Sequence, residues 1–328
     1  MPVKSILPPD IFRIHLPLIF ALDHVNCYLI IGEQGWEVVD AGLSTSESCR
    51  YWNRAVRELG LNWQQLRGIY ITHYHPDHYG AAGWLQNQSG APVYMLSAGL
   101  KEVEIAWGNY EVLFSEYSSF CRRHGMPDRL IEELLANVER AAYTVYPQPQ
   151  VTTLEDGHEV RLGDRLGQVL WTPGHADGHY CLYSSQDKLL FSGDHLLPSI
   201  TSNISLWPGS QPNPLLNYFS SLKKISTLNI DLILPAHGDT FGDLAGRVEM
   251  LYLHHRERLK FMAKLAAPGV DAYNICRKVF GWNLTVQEIQ FAFSETLAHL
   301  VYLEQEQVLE SVSDQGVILF RRGPNLDG

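Results

Sequence analysis

Residues 73–78 read His73-Tyr74-His75-Pro76-Asp77-His78. Three imidazoles and a carboxylate in so short a span offer the nitrogen and oxygen donors that Zn²⁺, iron and manganese accept. In a loop leaving a strand, His73 and His75 can bind one ion while Asp77 and His78 turn towards a second. The run Gly80-Ala81-Ala82-Gly83 that follows has no bulky side chain. The next helix can therefore pack close beneath the site.

Three more donors follow the same grammar. Val169-Leu170-Trp171-Thr172-Pro173-Gly174 leads to His175, and Lys188-Leu189-Leu190-Phe191-Ser192-Gly193 leads to Asp194. Asp231-Leu232-Ile233-Leu234-Pro235-Ala236 leads to His237. Each donor sits just beyond an apolar run, in a turn rich in Gly or Pro. Any one of them alone would more often be a hydrogen-bonded structural residue; the repetition carries the signal. If the strands share one edge of a sheet sandwich, the turns converge. His179 and His195 stand beside two of these turns. Either could donate a proton to substrate, orient a ligand from behind, or simply hydrogen-bond the local backbone.

The elements that must position these donors are legible in outline. Ile11 to His15, Cys27 to Ile31 and Trp36 to Val39 read as strands, with a hairpin-like connection at Gly32-Glu33-Gln34-Gly35. Ser44 to Leu59 has helical spacing and Gly60 as its stop. Leu66 to Thr72 leads straight into the first histidines. From about Gly99 to Tyr146 the chain turns to helix-compatible segments rich in Glu, Arg and aromatics, with Pro127-Asp128 opening a new helix. Residues 99–146 thus read as a helical insertion, either a lid or pocket wall or a packing or dimer element. Residues 151–240 return to short apolar runs broken by Gly, Pro and Asp. After Asp243 a long helix runs to about Leu265, followed by helix-like segments over 271–280 and 285–303. A hairpin follows around Asp314-Gln315-Gly316. The expected organisation is a catalytic domain over 1–242 and a helical, winged-helix-like unit over 243–328.

Composition narrows the function. The chain has 328 residues, 45% hydrophobic and 19% charged, which suits a globular protein of more than one unit. A net charge of −11 repels a polyanion at long range, so a small or uncharged substrate is expected rather than nucleic acid. The five cysteines are odd in number and scattered, as reduced thiols in a cytoplasmic protein would be. The apolar stretch from Ile11 to Phe20 is broken by Arg13, His15 and Pro17 and reads as a first strand rather than a signal peptide. No run approaches the ~20 apolar residues that a membrane span needs.

His-x-His-x-Asp-His, then Gly-His, Gly-Asp and Ala-His-Gly together resemble the metallo-β-lactamase superfamily, nearer its glyoxalase II-like hydrolase branches than the lactamases. The resemblance covers roughly residues 11–242. It implies an α+β fold, the αββα sandwich with metals at one edge, here with a helical insertion and a C-terminal winged-helix-like appendage. By matching positions it implies that His73, His75 and His175 hold one metal, that Asp77, His78 and His237 hold a second, and that Asp194 bridges them. Two divalent cations, zinc foremost and iron or manganese otherwise, would then share a bridging hydroxide. That nucleophile would hydrolyse an ester, thioester or lactone, with Asp77 orienting it and relaying its proton.

His195 and a cationic stripe of Arg247, His254 and Arg258 on the helix after His237 are candidates for substrate binding; the stripe could equally be a solvated face. The rival enzyme reading is a metal-dependent phosphodiesterase or ribonuclease. Against it, no Lys or Arg lies between Lys278 and Arg321, while Glu288, Glu295, Glu304, Glu306, Glu310 and Asp314 do. The appendage reads instead as a homodimer contact or pocket cover. A non-catalytic binding protein on the same scaffold would be expected to have lost ligands.

Overall fold

The computed structural model describes residues 3–5, 8–18, 23–108 and 110–325. Ile19 and Phe20, the end of the apolar stretch, lie outside the described residues. Strands β1 (Val3–Ser5), β2 (Ile11–Pro17), β3 (His24–Gly32), β4 (Gly35–Val39), β5 (Leu66–Tyr70), β6 (Val93–Leu96) and β7 (Val151–Leu154) form one sheet in that order. A second sheet has the order β12-β11-β10-β9-β8, from β8 (Glu159–Leu162), β9 (Arg165–Trp171), β10 (Tyr180–Ser184), β11 (Leu189–Gly193) and β12 (Leu232–Pro235).

These strands are apolar on both faces because both faces are covered. On β3, Tyr28 and Ile30 enter the core that also holds Leu182 and Phe191 of the second sheet. Val25, Cys27 and Leu29 turn the other way, onto a core containing Trp52, Val56 and Leu85. Those three lie on α1 (Ser46–Glu58) and, past the short α2 (Pro76–Tyr79), on α3 (Ala82–Ser89). The second sheet alternates likewise: Leu189 and Phe191 face the first sheet, while Leu190 faces the helices beyond. Helix, sheet, sheet, helix is the layer order that results.

The insertion is topologically a crossover. β6 and β7 pair in parallel, so the chain must travel between them, and a parallel connection needs a dozen or more residues. Here it spends them on α4 (Ser97–Val103), a π-helical turn Glu104–Gly108, α5 (Tyr110–Arg123) and α6 (Asp128–Ala142).

Residues 214–226 correct the expectation of only short apolar runs before residue 240. They form α7 (Pro214–Ser226), capped by Asn213 Oδ1 accepting from Leu216 N at 3.0 Å, with Pro214 in the first turn. Asn before Pro at a helix start is a local signal whose force the surrounding Gly and Pro residues obscure.

The rest of the chain is α8 (Leu244–Ala266), β13 (Pro268–Asp271), α9 (Ala272–Phe280), α10 (Val286–Gln305), β14 (Leu309–Asp314) and β15 (Val317–Arg322). Pro268-Gly269, expected as a helix stop, also opens β13, which pairs with β15. Gln315 and Gly316 both take positive φ, as the tight β14–β15 turn requires. A Thr285–Glu288 capping box starts α10. Among the described residues no helix is long and apolar enough to cross a membrane.

Candidate metal centre

β9, β11 and β12 point the same way, because β10 is antiparallel to both β9 and β11 and β12 is parallel to β11. Their C-terminal ends therefore share one edge, and His175, Asp194 and His237 leave from it. The turn after β5 meets them there. His73 Nε2 lies 2.9 Å from His75 Nδ1 and 3.2 Å from His175 Nε2, and His75 Nδ1 lies 2.9 Å from His175 Nε2. His237 Nε2 is 3.3 Å from Asp77 Oδ2, and His78 Nε2 is 3.6 Å from the same oxygen. Asp194 stands between the trios, with Oδ2 at 3.5 Å from His175 Nε2 and Oδ1 at 3.5 Å from His78 and His237 Nε2. Every residue expected at the centre is thus brought together, in the trios His73–His75–His175 and Asp77–His78–His237 with Asp194 beside both.

Proton placement explains why cations fit. His175 Nδ1 donates to the Asn203 carbonyl at 2.7 Å, and His237 Nδ1 to the His24 carbonyl at 3.0 Å. His78 Nδ1 donates to Asp40 Oδ2 at 2.8 Å. Thr72 Oγ1 donates to Asp40, so it accepts from His73 Nδ1 at 3.0 Å. Each outer nitrogen carries the hydrogen, which leaves the inner one with a lone pair aimed at its neighbours. Bare nitrogens at such spacing beside two carboxylates repel unless positive charge sits among them. The buried His78 Nε2 and Asp194 Oδ1 have no hydrogen-bond partner. This donor set fits divalent metal ions.

The titration of the bare cluster agrees. Burial, then the neighbouring His175, pushes the His75 ring down to about 3. Burial acts downward on His237 too, but Asp194 and Asp77 outweigh it and lift the ring to about 9. Burial alone would raise Asp77; the rings of His78 and His237 instead hold it at about 2. The two carboxylates thus favour positive charge on the rings nearest them.

Similarity to known proteins bears on what this centre is. Residues 21–237 match the family model of the metallo-beta-lactamase superfamily, and residues 259–323 match the metallo-beta-lactamase-like C-terminal domain. The chain belongs to the metallo-β-lactamase superfamily. It is similar to a probable metallo-hydrolase, YqjP, of Bacillus subtilis, at 24% identity over 95% of this chain and 98% of that one. It also resembles the acyl-coenzyme A thioesterase MBLAC2 of Gallus gallus, at 27% identity over 78% of this chain and 82% of the relative. A third relative is an atrochrysone carboxyl ACP thioesterase of Emericella nidulans, at 25% identity over 60% of this chain and 59% of the relative. The solved metallo-beta-lactamase family protein TTHA1429 of Thermus thermophilus superposes with a TM-score of 0.86, at 29% identity over 96% and 99% of the two chains. The chain is accordingly a metallo-hydrolase of this superfamily.

The metallo-β-lactamase centre is held by residues that the sequence reading did not single out. Asp40, at the end of β4 and at positive φ, fixes His78 and Thr72 together. Its segment Val38-Val39-Asp40-Ala41-Gly42 has the same run-then-acid-then-Gly grammar as the ligands, and that signal could have found it. Glu102 of α4 accepts from the backbone of Asp177 and Gly178 at 2.8 and 2.9 Å, tying the His175 turn to the insertion. Asn26 and Tyr28 of β3 donate to the Pro235 carbonyl at 3.0 and 2.7 Å, locking the His237 turn across the two sheets. A Cβ on Gly83 would collide with the Pro147 carbonyl, so the small residues after His78 do let α3 pack tightly.

His179 lies behind the centre: its Nδ1 meets Thr172 Oγ1 at 2.8 Å and its Nε2 accepts from the Asp194 backbone N–H at 3.2 Å. His195 is buried against the Tyr218 ring. A cavity of about 400 Å³ opens onto His75, Asp77, His175, Asp194 and His237. None of His195, Arg247, His254 and Arg258 lines it. Arg247 donates to the Ile200 carbonyl, and Arg258 lies over the Phe280 ring at 4.5 Å. His254 and Arg258 instead flank a separate shallow hollow with Glu257, Phe261 and Val279. Helical spacing puts Arg247, His254 and Arg258 near one face of α8, but Arg247 is spent on the Ile200 carbonyl and the other two flank that hollow, so none of the three lines the cavity.

Proposed function

We propose that this chain is a two-metal hydrolase of ester-type bonds, thioesters foremost, in a small molecule. The observation that carries the reading is the set of inward lone pairs: four rings spend their outer nitrogens on fixed acceptors and turn the inner ones to a common space. His73, His75 and His175 would hold one ion, Asp77, His78 and His237 the other, and Asp194 both. Zinc suits these donors best, with iron or manganese as alternatives. Such a pair supplies Lewis-acid polarisation of the substrate oxygen and a water acidic enough to attack near neutral pH.

The protein's own groups do the remainder. Asp77, half-buried in the cavity lining, orients the attacking water and carries its proton to the leaving sulfur or oxygen. The cavity walls seat the acyl group and keep bulk water from the reacting carbon. Attack at carbon rather than phosphorus is supported by the absence of Lys and Arg from the cavity lining, among the described residues. It is supported also by two relatives named as thioesterases. The catalytic domain spans 1–242 in this reading, with a winged-helix-like unit over 243–328. The five unpaired cysteines suit a cytoplasmic setting.

A side-by-side assay of an acyl thioester, a lactone and bis-(p-nitrophenyl) phosphate on zinc-loaded protein, with metal counted per chain, tests the proposal. Thioester or lactone turnover with two ions per chain is expected. Turnover confined to the phosphodiester, or full activity with one ion, overturns it.

A further inference from the structure

The cavity beside the metal centre has two unlike walls. One comes from the insertion: Trp107, Leu113, Tyr117, Leu135 and Val138 make it mostly apolar or aromatic, with the Tyr117 hydroxyl and Asn137, which accepts from the exposed Arg140 at 3.3 Å, as its polar groups. The facing wall includes α10 of the C-terminal unit, which contributes Gln287, Gln290, Phe291 and Ser294. Spacings of three, four and seven residues put these on one helix face. A helix that merely packed would carry apolar residues there; this one carries two amides.

The Ser294 hydroxyl is already engaged, donating to the Gln290 carbonyl at 3.0 Å. The side-chain amides of Gln287 and Gln290 are half-buried and, among the described residues, make no hydrogen bond within the chain. α10 is also tied to the centre itself. Asn203, whose carbonyl orients His175, donates from its side chain to Glu295 Oε2 at 3.3 Å and to the Phe291 carbonyl at 3.3 Å. The position of the polar wall relative to the metal ligands is therefore fixed. Among the described residues, the only ionisable acids at the cavity are Asp77 and Asp194, both at its metal end.

We infer that the C-terminal unit is a substrate-reading wall: Gln287 and Gln290 recognise an oxygen-bearing edge of an electrically neutral acyl group whose apolar body lies against the insertion. This rests on the proposed acyl hydrolysis and names the acyl class. A terminal carboxylate is rejected, because the described lining holds no Lys or Arg to compensate its desolvation. Aliphatic length is rewarded up to the end of the cavity.

The test uses metal-loaded full-length protein, with Trp107 and Trp207 at the cavity as fluorescent reporters of binding. Primary fatty amides from about six to about twelve carbons should bind about fourfold tighter per methylene, the equivalent of about 0.8 kcal/mol per buried CH₂, until the cavity is full. The same amide carrying a second, terminal carboxylate at the end away from the metals should bind at least about tenfold more weakly. Walking a hydroxyl along the chain should reveal one position that strengthens binding about threefold or more. That gain should vanish in Gln287→Met/Gln290→Met, which keeps side-chain length and removes the hydrogen bonds.

Equal binding of the terminal carboxylate, or a hydroxyl preference unchanged in the double variant, overturns the inference. Binding is read apart from turnover. Failure to hydrolyse thioesters therefore removes the proposed reaction, while the wall assignment stands or falls on the binding series.

Discussion

Two groups of buried histidines differ in what surrounds their rings. One is the centre at the strand ends. The other is His195, His255 and His299, strung through the core under α7, α8 and α10. His255 Nδ1 meets His299 Nε2 at 3.0 Å, His299 Nδ1 donates to the Glu295 carbonyl at 2.8 Å, and Tyr218 packs edge-on between His195 and His255. Among the described residues no carboxylate pairs with a ring of this second group. Burial leads in pushing His195 to about 3, His255 to about 2 and His299 to about 4, so all three rings stay neutral. Density of histidine therefore does not mark a metal site. Carboxylates among the rings and outward-facing acceptors behind them do.

The contrast predicts its largest effect at the ligands. His75→Ala should lower metal content and reduce turnover by at least about 100-fold, beyond what changes behind a ligand usually produce, with an unchanged circular dichroism spectrum. His255→Gln should leave metal content as it was. A metal-verified His75→Ala protein with full activity would erase the distinction between the groups.

Next comes pH. In metal-stripped protein the raised His237 ring contributes stability that is fully present below about 6.5 and is lost as pH rises towards about 9. Denaturant melts should record a loss on the order of 3 kcal/mol across that window. Metal-loaded protein, whose ring is occupied, should lack it, as should His237→Asn. An unchanged melt across this range in stripped protein would contradict the ion-pair geometry.

Asp40→Asn should weaken metal binding about 10- to 100-fold, because it removes the charge behind His78 while keeping a hydrogen-bonding group of equal size. Competition with a chelator measures it, and affinity equal to the parent protein would reduce Asp40 to a packing residue. The second histidine group is read through the pH dependence of stability alone. Its lowered rings bind fewer protons folded than unfolded, so stability falls as pH drops below about 6.5. His255→Gln should remove about 1.4 kcal/mol per pH unit of that dependence between about pH 6 and pH 4. A slope identical to the parent's would place His255 in solvent-like surroundings.

Much of the centre was legible because its donors are scarce residue types, each announced by an apolar run and a Gly- or Pro-bearing turn. His175, Asp194 and His237 all obeyed that grammar, and so did Asp40, whose carboxylate at the end of β4 went unread. The expected substrate-binding residues stand outside the cavity lining for a different reason. Helical spacing groups Arg247, His254 and Arg258 but does not say which neighbour each meets: Arg247 meets the Ile200 carbonyl, while His254 and Arg258 flank the separate hollow.

Sequence alone determined which side chains can hold cations and that each is delivered by a strand end, since those properties are local to a few adjacent residues. Only the folded chain decided what surrounds them. The walls of the cavity are ordinary leucines, tryptophans and glutamines from the π-helical turn, α5, α6, α10 and the loop at Trp207, contributed by segments up to about 190 residues apart, between Trp107 and Ser294. Nothing in their local pattern distinguishes a residue lining a cavity from one filling a core; that difference exists only once long-range packing has left the space beside them open.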